Sequence, residues 1–343
     1  MENEKAVTLQ DIANRLNLSV VTISKALRNH PDISIKTTKL IKKVAEEMGY
    51  MPNIMARNLS ARKSNTLGLV VPKIAHHFFG AIIESIYDLA FQQNYETILT
   101  VSQENAEREK KHLLTLLSMK VDGIIISVTQ ETKDLSVFEM IERRGVPIVF
   151  IDRVPESAQN YNIVKVDDYN GAYKAIEHAY NLGYRKIAHF GGATNINIGR
   201  DRMNGFKNAM NNFGIEINPN WIFEGGYSEN SGYEFFMKLY KENNLPELIL
   251  AVTYPVALGI YMAAKEVGLE IPKDIDVICF GNAKVQSFLS PPLSCIDQPT
   301  DLISKNAIDL IMKKIDDEDN EIAPQQIVLD TSLVLRGTCI KKH

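Results

Sequence analysis

Asp152 and Arg153 directly follow the apolar run VPIVFI, and His76 and His77 lie shortly after the apolar run TLGLVVP. A carboxylate beside a guanidinium at a strand end could act as an acid–base pair, although a structural ion pair is the commoner outcome. Adjacent histidines hold zinc only when other His, Cys or carboxylate ligands converge on them, and no such spaced set accompanies this pair. GxSxG, HExxH, Walker and GxGxxG motifs are absent, and the glycine-rich HFGGATNINIG at 189–199 fits neither nucleotide-binding spacing. Cys279, Cys295 and Cys339 are odd in number and form no CxxC pair, which fits buried small hydrophobes better than a zinc site or a disulfide framework. These residues point away from catalysis. The expectation is a protein that is not an enzyme and carries no metal or other cofactor.

A second group of residues suits a polyanion. Thr22, Ser24, Lys25 and Arg28 follow two valines in VVTISKALRN, and MARNLSARKSN (55–65) sets Leu59 among Arg57, Arg62 and Lys63. Residues 1–65 carry 11 Lys/Arg against 6 Asp/Glu, a net +5, in a chain whose overall charge is −4, so the remainder carries −9. A basic head on an acidic body places nucleic-acid contact in the head.

The elements that must position these residues can be read from periodicity. Thr8 and Asp11, three apart, form a capping-box signal for a helix LQDIANRL, with Leu9, Ile12, Ala13 and Leu16 on one face. Ser19 is a candidate N-cap for VVTISKAL. The β-branched run Val20, Val21, Thr22, Ile23 is poor for helix propensity and cannot all face a core, so one or both valines should be exposed. A third helix starts after Ser34, with Leu40, Ile41, Val44, Ala45 and Met48 inward, and stops at Gly49. Three such helices make a helix-turn-helix head, in which exposed valines can meet thymine methyls in the major groove.

From Thr66 onward eight apolar runs (TLGLVVP, YETILTV, VDGIIIS, VPIVFID, NIVKVD, KIAHFGG, ELILAVT and DVICFG) alternate with helix-length segments at 78–93, 105–119, 169–182 and 201–213. This β–α alternation predicts parallel sheets covered on both faces. There are too many strands for one compact doubly wound domain, and NIVKVDDYNG reads as a restart, so two lobes with ligand between them are expected. DDEDNE at 316–321 reads as a solvated acidic loop. No run is long and apolar enough to be a membrane span or signal peptide, so a cytoplasmic protein is expected. A solute-binding protein would need an export signal, and the basic head would serve it no purpose.

The stretches VTLQDIANRLNLSVVTISKALR, KTTKLIKKVAEEMGYMPNIMARNL and TLGLVVP resemble the LacI/GalR family of bacterial transcription regulators, and the likeness runs over nearly the whole chain. The resemblance implies a small all-α three-helix head at 1–52, a hinge helix and linker at 53–65, and an effector-binding and dimerisation body at 66–343. That body is α/β, periplasmic-binding-protein-like and two-lobed, with one lobe at about 66–163 and 293–328 and the other at about 164–292 and 329–343. Three crossings are implied, near 163, 293 and 328.

It further implies a homodimeric, ligand-responsive regulator, a repressor of a carbohydrate or related catabolic operon, on a pseudo-palindromic double-stranded operator. The DNA-binding set it implies comprises Thr8, Ser19, Val20, Val21, Thr22, Ser24, Lys25, Arg28 and Asn29, then Asn53, Arg57 and Leu59 in the hinge. Leu59 would be wedged into the minor groove while Arg57 holds phosphates. No heptad tail follows SLVLRGTCIKKH, which favours a dimer over a tetramer.

The effector set implied comprises Ala75, His76, Phe78, Phe79, Asp152, Arg202, Tyr227, Thr253, Tyr254, Gly281 and Gln298, with Tyr227 placed to stack on the ligand. Two departures stand out. Thr253–Tyr254 replaces the family's usual Asn-Asp, and Phe280–Gly281–Asn282 replaces Phe-Asp-Asp or Phe-Asp-Asn. With those carboxylates gone, Arg202 would need a counter-charge from Asp152 or from the effector. The second option predicts an acidic sugar or sugar phosphate. Control by a protein partner instead of a metabolite is the alternative reading of the missing carboxylates.

Overall fold

The computed structural model describes residues 7–51, 63–75, 77–156, 158–317 and 321–341, in two compact units that divide after Ser64. In the first unit, α1 (Leu9–Leu16), α2 (Val20–Leu27) and α3 (Ile35–Glu47) each begin at a hydroxyl cap. The Thr8 amide donates to the Asp11 carboxylate at 2.8 Å while Asp11 N donates back to Thr8 Oγ1, which is the capping box read from the sequence. Ser19 and Ser34 accept from Thr22 N and Thr37 N. Asn17, at φ 53°, ends α1 in the left-handed region that asparagine tolerates, which keeps the turn into α2 short. Ile12, Ala13, Ile23, Ala26, Ile41, Val44 and Ala45 form the core. Leu40, expected inside, is 50% exposed, because Ile41, Val44 and Ala45 define a stripe that leaves position 40 to one side.

The second unit holds two six-stranded sheets. The first runs β11-β5-β4-β3-β1-β2, made of Gln326–Leu329, Asn162–Val166, Ile148–Ile151, Gly123–Ile126, Thr66–Val71 and Glu96–Val101. The second runs β12-β10-β9-β8-β6-β7, made of Ser332–Val334, Ser294–Asp297, Asp276–Phe280, Leu248–Ala251, Ile187–Gly192 and Ile222–Gly225. All pairings are parallel except that of β12 with β10. Helices α4 (His77–Gln92), α5 (Ala106–Ser118), α6 (Ser136–Arg143) and α11 (Thr300–Asp316) cover the first sheet. Helices α7 (Asp168–Asn181), α8 (Asn197–Asn212), α9 (Glu229–Lys241) and α10 (Tyr254–Glu266) cover the second.

The eight apolar runs form β1 to β6, β8 and β9. NIVKV does not restart the chain in a second lobe: as β5 it pairs with β4 and β11, so the first lobe runs on to Val166. The implied crossings near 163, 293 and 328 fall instead after β5, after β10 and between β11 and β12. Hydrophobicity alone could not place them, since the apolar content of β5 and β10 does not tell which of the two sheets each joins. Cys279 and Cys295, distant in sequence, are in-register neighbours on β9 and β10, and all three thiols are free and buried. Asp317 is tied down by Lys314 and by the amides of Glu321 and Ile322, so this part of the acidic stretch is structured as well as solvated. Among the described residues no helix is long and apolar enough to cross a membrane.

Two glycines set the spacing of α9 and α10. A Cβ on Gly259 would lie 1.9 Å from the Glu229 carbonyl oxygen, and one on Gly232 would lie 2.0 Å from that of Val256. The backbones touch there, and α9 and α10 begin just after Tyr227 and Thr253, two of the implied effector residues.

Candidate functional site

The carboxyl ends of β4, β8, β9 and β10 and the start of α4 enclose a cleft between the lobes, with about 720 Å³ of space including open solvent. A concave, aromatic-lined cleft of this kind suits a small metabolite. Phe78, Phe79, Asp152, Arg202, Thr253, Tyr254, Gly281 and Gln298 of the implied set line it. Ala75 is exposed and does not, Tyr227 lies behind Arg153, and His76 lies outside the described residues. His77, Arg153, Phe280 and Asn282 also line the cleft and were not in that set. Among the described residues no group of three His, Cys, Asp or Glu could hold a metal ion.

The charges are arranged otherwise than the sequence suggested. Arg202 Nε donates to Asp168 Oδ1 at 2.7 Å, Nη1 donates to the Val252 carbonyl, and the guanidinium lies 4.0 Å from the Phe280 ring centroid. Its counter-charge is therefore Asp168, at the start of α7, and neither Asp152 nor a ligand is required. The premise for an acidic effector fails at this point. Arg153 does not pair with Asp152 either. Its Nη1 meets both Glu104 oxygens, at 2.8 and 2.9 Å.

Asp152 is thus left as a cleft carboxyl with no hydrogen-bonding side-chain partner among the described residues, and it is only 4% exposed. Burial pushes it up to about 7, with the neighbouring Arg153 opposing that rise. Its backbone sits at φ 57° and is held across the cleft by Asn197 at the start of α8. The Asn197 carboxamide donates to the Asp152 carbonyl at 2.8 Å and accepts from Val154 N at 2.9 Å. Gln298 Nε2 is buried without a hydrogen-bond partner among the described residues. The cleft therefore offers one acceptor of raised basicity and one free amide donor between aromatic walls.

Behind Glu104, Glu109 is 2% exposed and accepts from Thr129 N and Thr132 Oγ1. Burial raises this carboxyl to about 7. A carboxyl whose folded value is raised favours the folded state below its unfolded value, and that advantage is lost as pH rises from about 4.5 through 7. Glu109→Gln can accept from Thr129 N through its oxygen and donate to Thr132 Oγ1 through its nitrogen, and it removes the titration. It should match the parent at pH 4.5 and exceed it at pH 8, by up to about 3 kcal/mol. Urea unfolding at the two pH values measures this, and an equal difference at both would contradict it.

In the head, Val21 is 65% exposed, whereas Val20 is half-buried against the helical core. Thr22 and Ser24 are half-buried, and Asn29 is exposed at φ 57°, just past the end of α2. Lys25 donates to Asp32 at 2.6 Å, and Arg28 Nε donates to the Ser24 carbonyl at 3.2 Å. Val21, Lys25 and Arg28 recur four and three apart, which puts them on one outer stripe of α2. Thr8 and Ser19 serve as helix caps. Asn53, Arg57 and Leu59 lie outside the described residues.

A helix-turn-helix head on a two-lobed, parallel-sheet binding body defines a class, the DNA-binding regulators that answer to a small ligand. Residues 8–53 match the bacterial regulatory proteins of the lacI family, and residues 64–333 match the periplasmic binding proteins and sugar binding domain of the LacI family. The chain belongs to the LacI family and is a ligand-responsive, sequence-specific DNA-binding transcription regulator. It is 29% identical to the HTH-type transcriptional repressor PurR of Pasteurella multocida, over 96% of this chain and 97% of that one. To catabolite control protein A of Priestia megaterium it is 30% identical, over 91% and 93%. The lac repressor dimer, bound to operator and the anti-inducer ONPF, superposes with a TM-score of 0.85 at 26% identity, covering 98% of this chain and 99% of that one.

Proposed function

We propose that this regulator is a homodimeric repressor of a carbohydrate or related catabolic operon, and that its effector is a small neutral metabolite rich in hydroxyl or amide groups. One observation carries the effector class. Both cleft arginines are neutralised within the protein, while among the described residues the Asp152 carboxyl has no hydrogen-bonding side-chain partner and the Gln298 amide nitrogen is buried without one. An anionic ligand would face Asp152, and among the described residues that line the cleft no Lys or Arg lacks a carboxylate partner, whereas a hydroxyl can donate to Asp152 and accept from Gln298. The names of the relatives, a repressor and a catabolite control protein, support the sense and the pathway class. The lac repressor structure, a dimer on its operator, supports two heads on a two-fold site.

On DNA, Val21 and Val20 contact bases, with Thr22, Ser24, Lys25, Arg28 and Asn29 on phosphates or base edges. Arg57 and Leu59 act in the hinge, with Asn53 at its start.

Thermal-shift and operator-release titrations with matched neutral and acidic sugars test the effector class. Neutral members should raise the melting temperature and change operator affinity. Asp152→Asn should weaken them by roughly 10–100-fold, the value of a hydrogen bond to a charged group, with ligand-free operator binding unchanged. An acidic analogue that outperforms its neutral parent would refute this reading.

A further inference from the structure

The Tyr227 ring, placed by the resemblance to stack on an effector, is already covered. The Arg153 guanidinium lies 4.8 Å from its centroid and 5.9 Å from that of Phe79, both within cation–π range. Arg153 comes from the first lobe, after β4, and Tyr227 from the second, between β7 and α9. The ring itself is fixed. A Cβ on Gly192 would lie 2.2 Å from it, and the Tyr227 hydroxyl donates to the Ala193 carbonyl at 3.2 Å. Arg153 is less completely held. Glu104 takes Nη1, but Nε is buried with no hydrogen-bond partner among the described residues, an unmet donor that burial penalises.

Glu104 links this stack to the rim of the cleft. It also accepts from the Gln130 amide at 3.2 Å, and the Gln130 carbonyl accepts from Asn195 Nδ2 of the second lobe. The Gln130 and Asn195 rim lines an outer groove with Ala193 and Gly226, the residues that flank Tyr227. A planar cation between a carboxylate and an aromatic face therefore sits between the inner cleft and this groove.

We propose that Arg153 is a resident competitor in the effector cleft: its guanidinium occupies the Tyr227 face that an effector would take, and latches the two lobes until it is displaced. An effector that stacks on Tyr227 must first move Arg153, which draws Glu104 with it, loosens the 129–132 segment and releases Asn195. The proposal rests on the reading of the cleft as the effector site, but its first measurement needs no effector.

Arg153→Ala leaves a cavity shaped for a planar cation beside Glu104. In the full-length protein, hydrogen exchange at amides 129–132 and 193–197 should rise on the order of tenfold or more. Methylguanidinium at millimolar concentration should reverse that rise in Arg153→Ala and leave the parent unchanged. Tyr227→Leu, which keeps the Arg153–Glu104 pair, should raise exchange at 193–197 without rescue, and it decides the matter should Arg153→Ala not fold. Unchanged exchange in the variants, or a rise that methylguanidinium does not reverse in Arg153→Ala, would overturn the proposal. A neutral sugar that binds the parent should bind Arg153→Ala more tightly, and weaker binding would overturn it too. Failure of every neutral sugar to bind would count against the effector class alone and leave the exchange result standing.

Discussion

Arg202→Met should destabilise the two-lobed body by about 3–5 kcal/mol, the usual consequence of removing one member of a buried ion pair. Arg202 and Asp168 have side chains only 2% and 1% exposed, and among the described residues Asp168 Oδ2 already lacks a hydrogen-bond partner. Without the guanidinium, Asp168 would have to take up a proton or draw in water at the base of the cleft. The Val252 carbonyl, next to Thr253, would lose its donor as well. The double variant Arg202→Met/Asp168→Leu removes both charges and should recover most of the loss, which separates an orphaned charge from lost packing. Denaturant unfolding of the parent, the two single variants and the double variant measures the coupling. A single-variant cost below about 1 kcal/mol would mean that the pair is not what holds this corner of the cleft.

Gly259→Val should cost about 3 kcal/mol or more, at the upper end for overpacking, because the new side chain meets backbone and no rotamer avoids it. The contact is with the Glu229 carbonyl, and the Tyr233 amide lies next nearest at 2.8 Å from an added Cβ. Relief requires α9 and α10 to separate, which shifts the Tyr227 and Thr253 ends of the two helices apart. Effector response should therefore weaken even at temperatures where the variant is fully folded. A Gly259→Val protein with parental melting temperature would show that the helices can slide apart freely.

Much of the architecture was legible because its signals are local. The head helices were readable from hydroxyl caps and apolar spacing, and the central strands from β-branched runs bounded by turns. Leu40 was misplaced because a two-turn stripe fixes the inner face only to within about one position. Strands β7, β10, β11 and β12 are three or four residues long and all only partly apolar, too short for periodicity to register. In the cleft, eight of the positions named by resemblance are among the lining residues, but their charge partners were not foreseen. Glu104 and Asp168 are remote in sequence from Arg153 and Arg202, and nothing in local pattern pairs residues 49 or 34 positions apart. The position of Arg153 over Tyr227 depends on two lobes meeting, which no single segment encodes.

The order of strands bears on synthesis. The head is built from adjacent helices and needs nothing beyond its own segment, so it can fold soon after it leaves the ribosome. Each sheet of the body, by contrast, takes its last strand from 326–334, β11 for one and β12 for the other. At roughly 5–20 residues per second, tens of seconds separate a folded head from completed sheets. In that interval the nascent chain can present the surface that reads DNA while the cleft that would govern it is unfinished, and the unpaired sheet edges are open to chaperones or to a neighbouring chain.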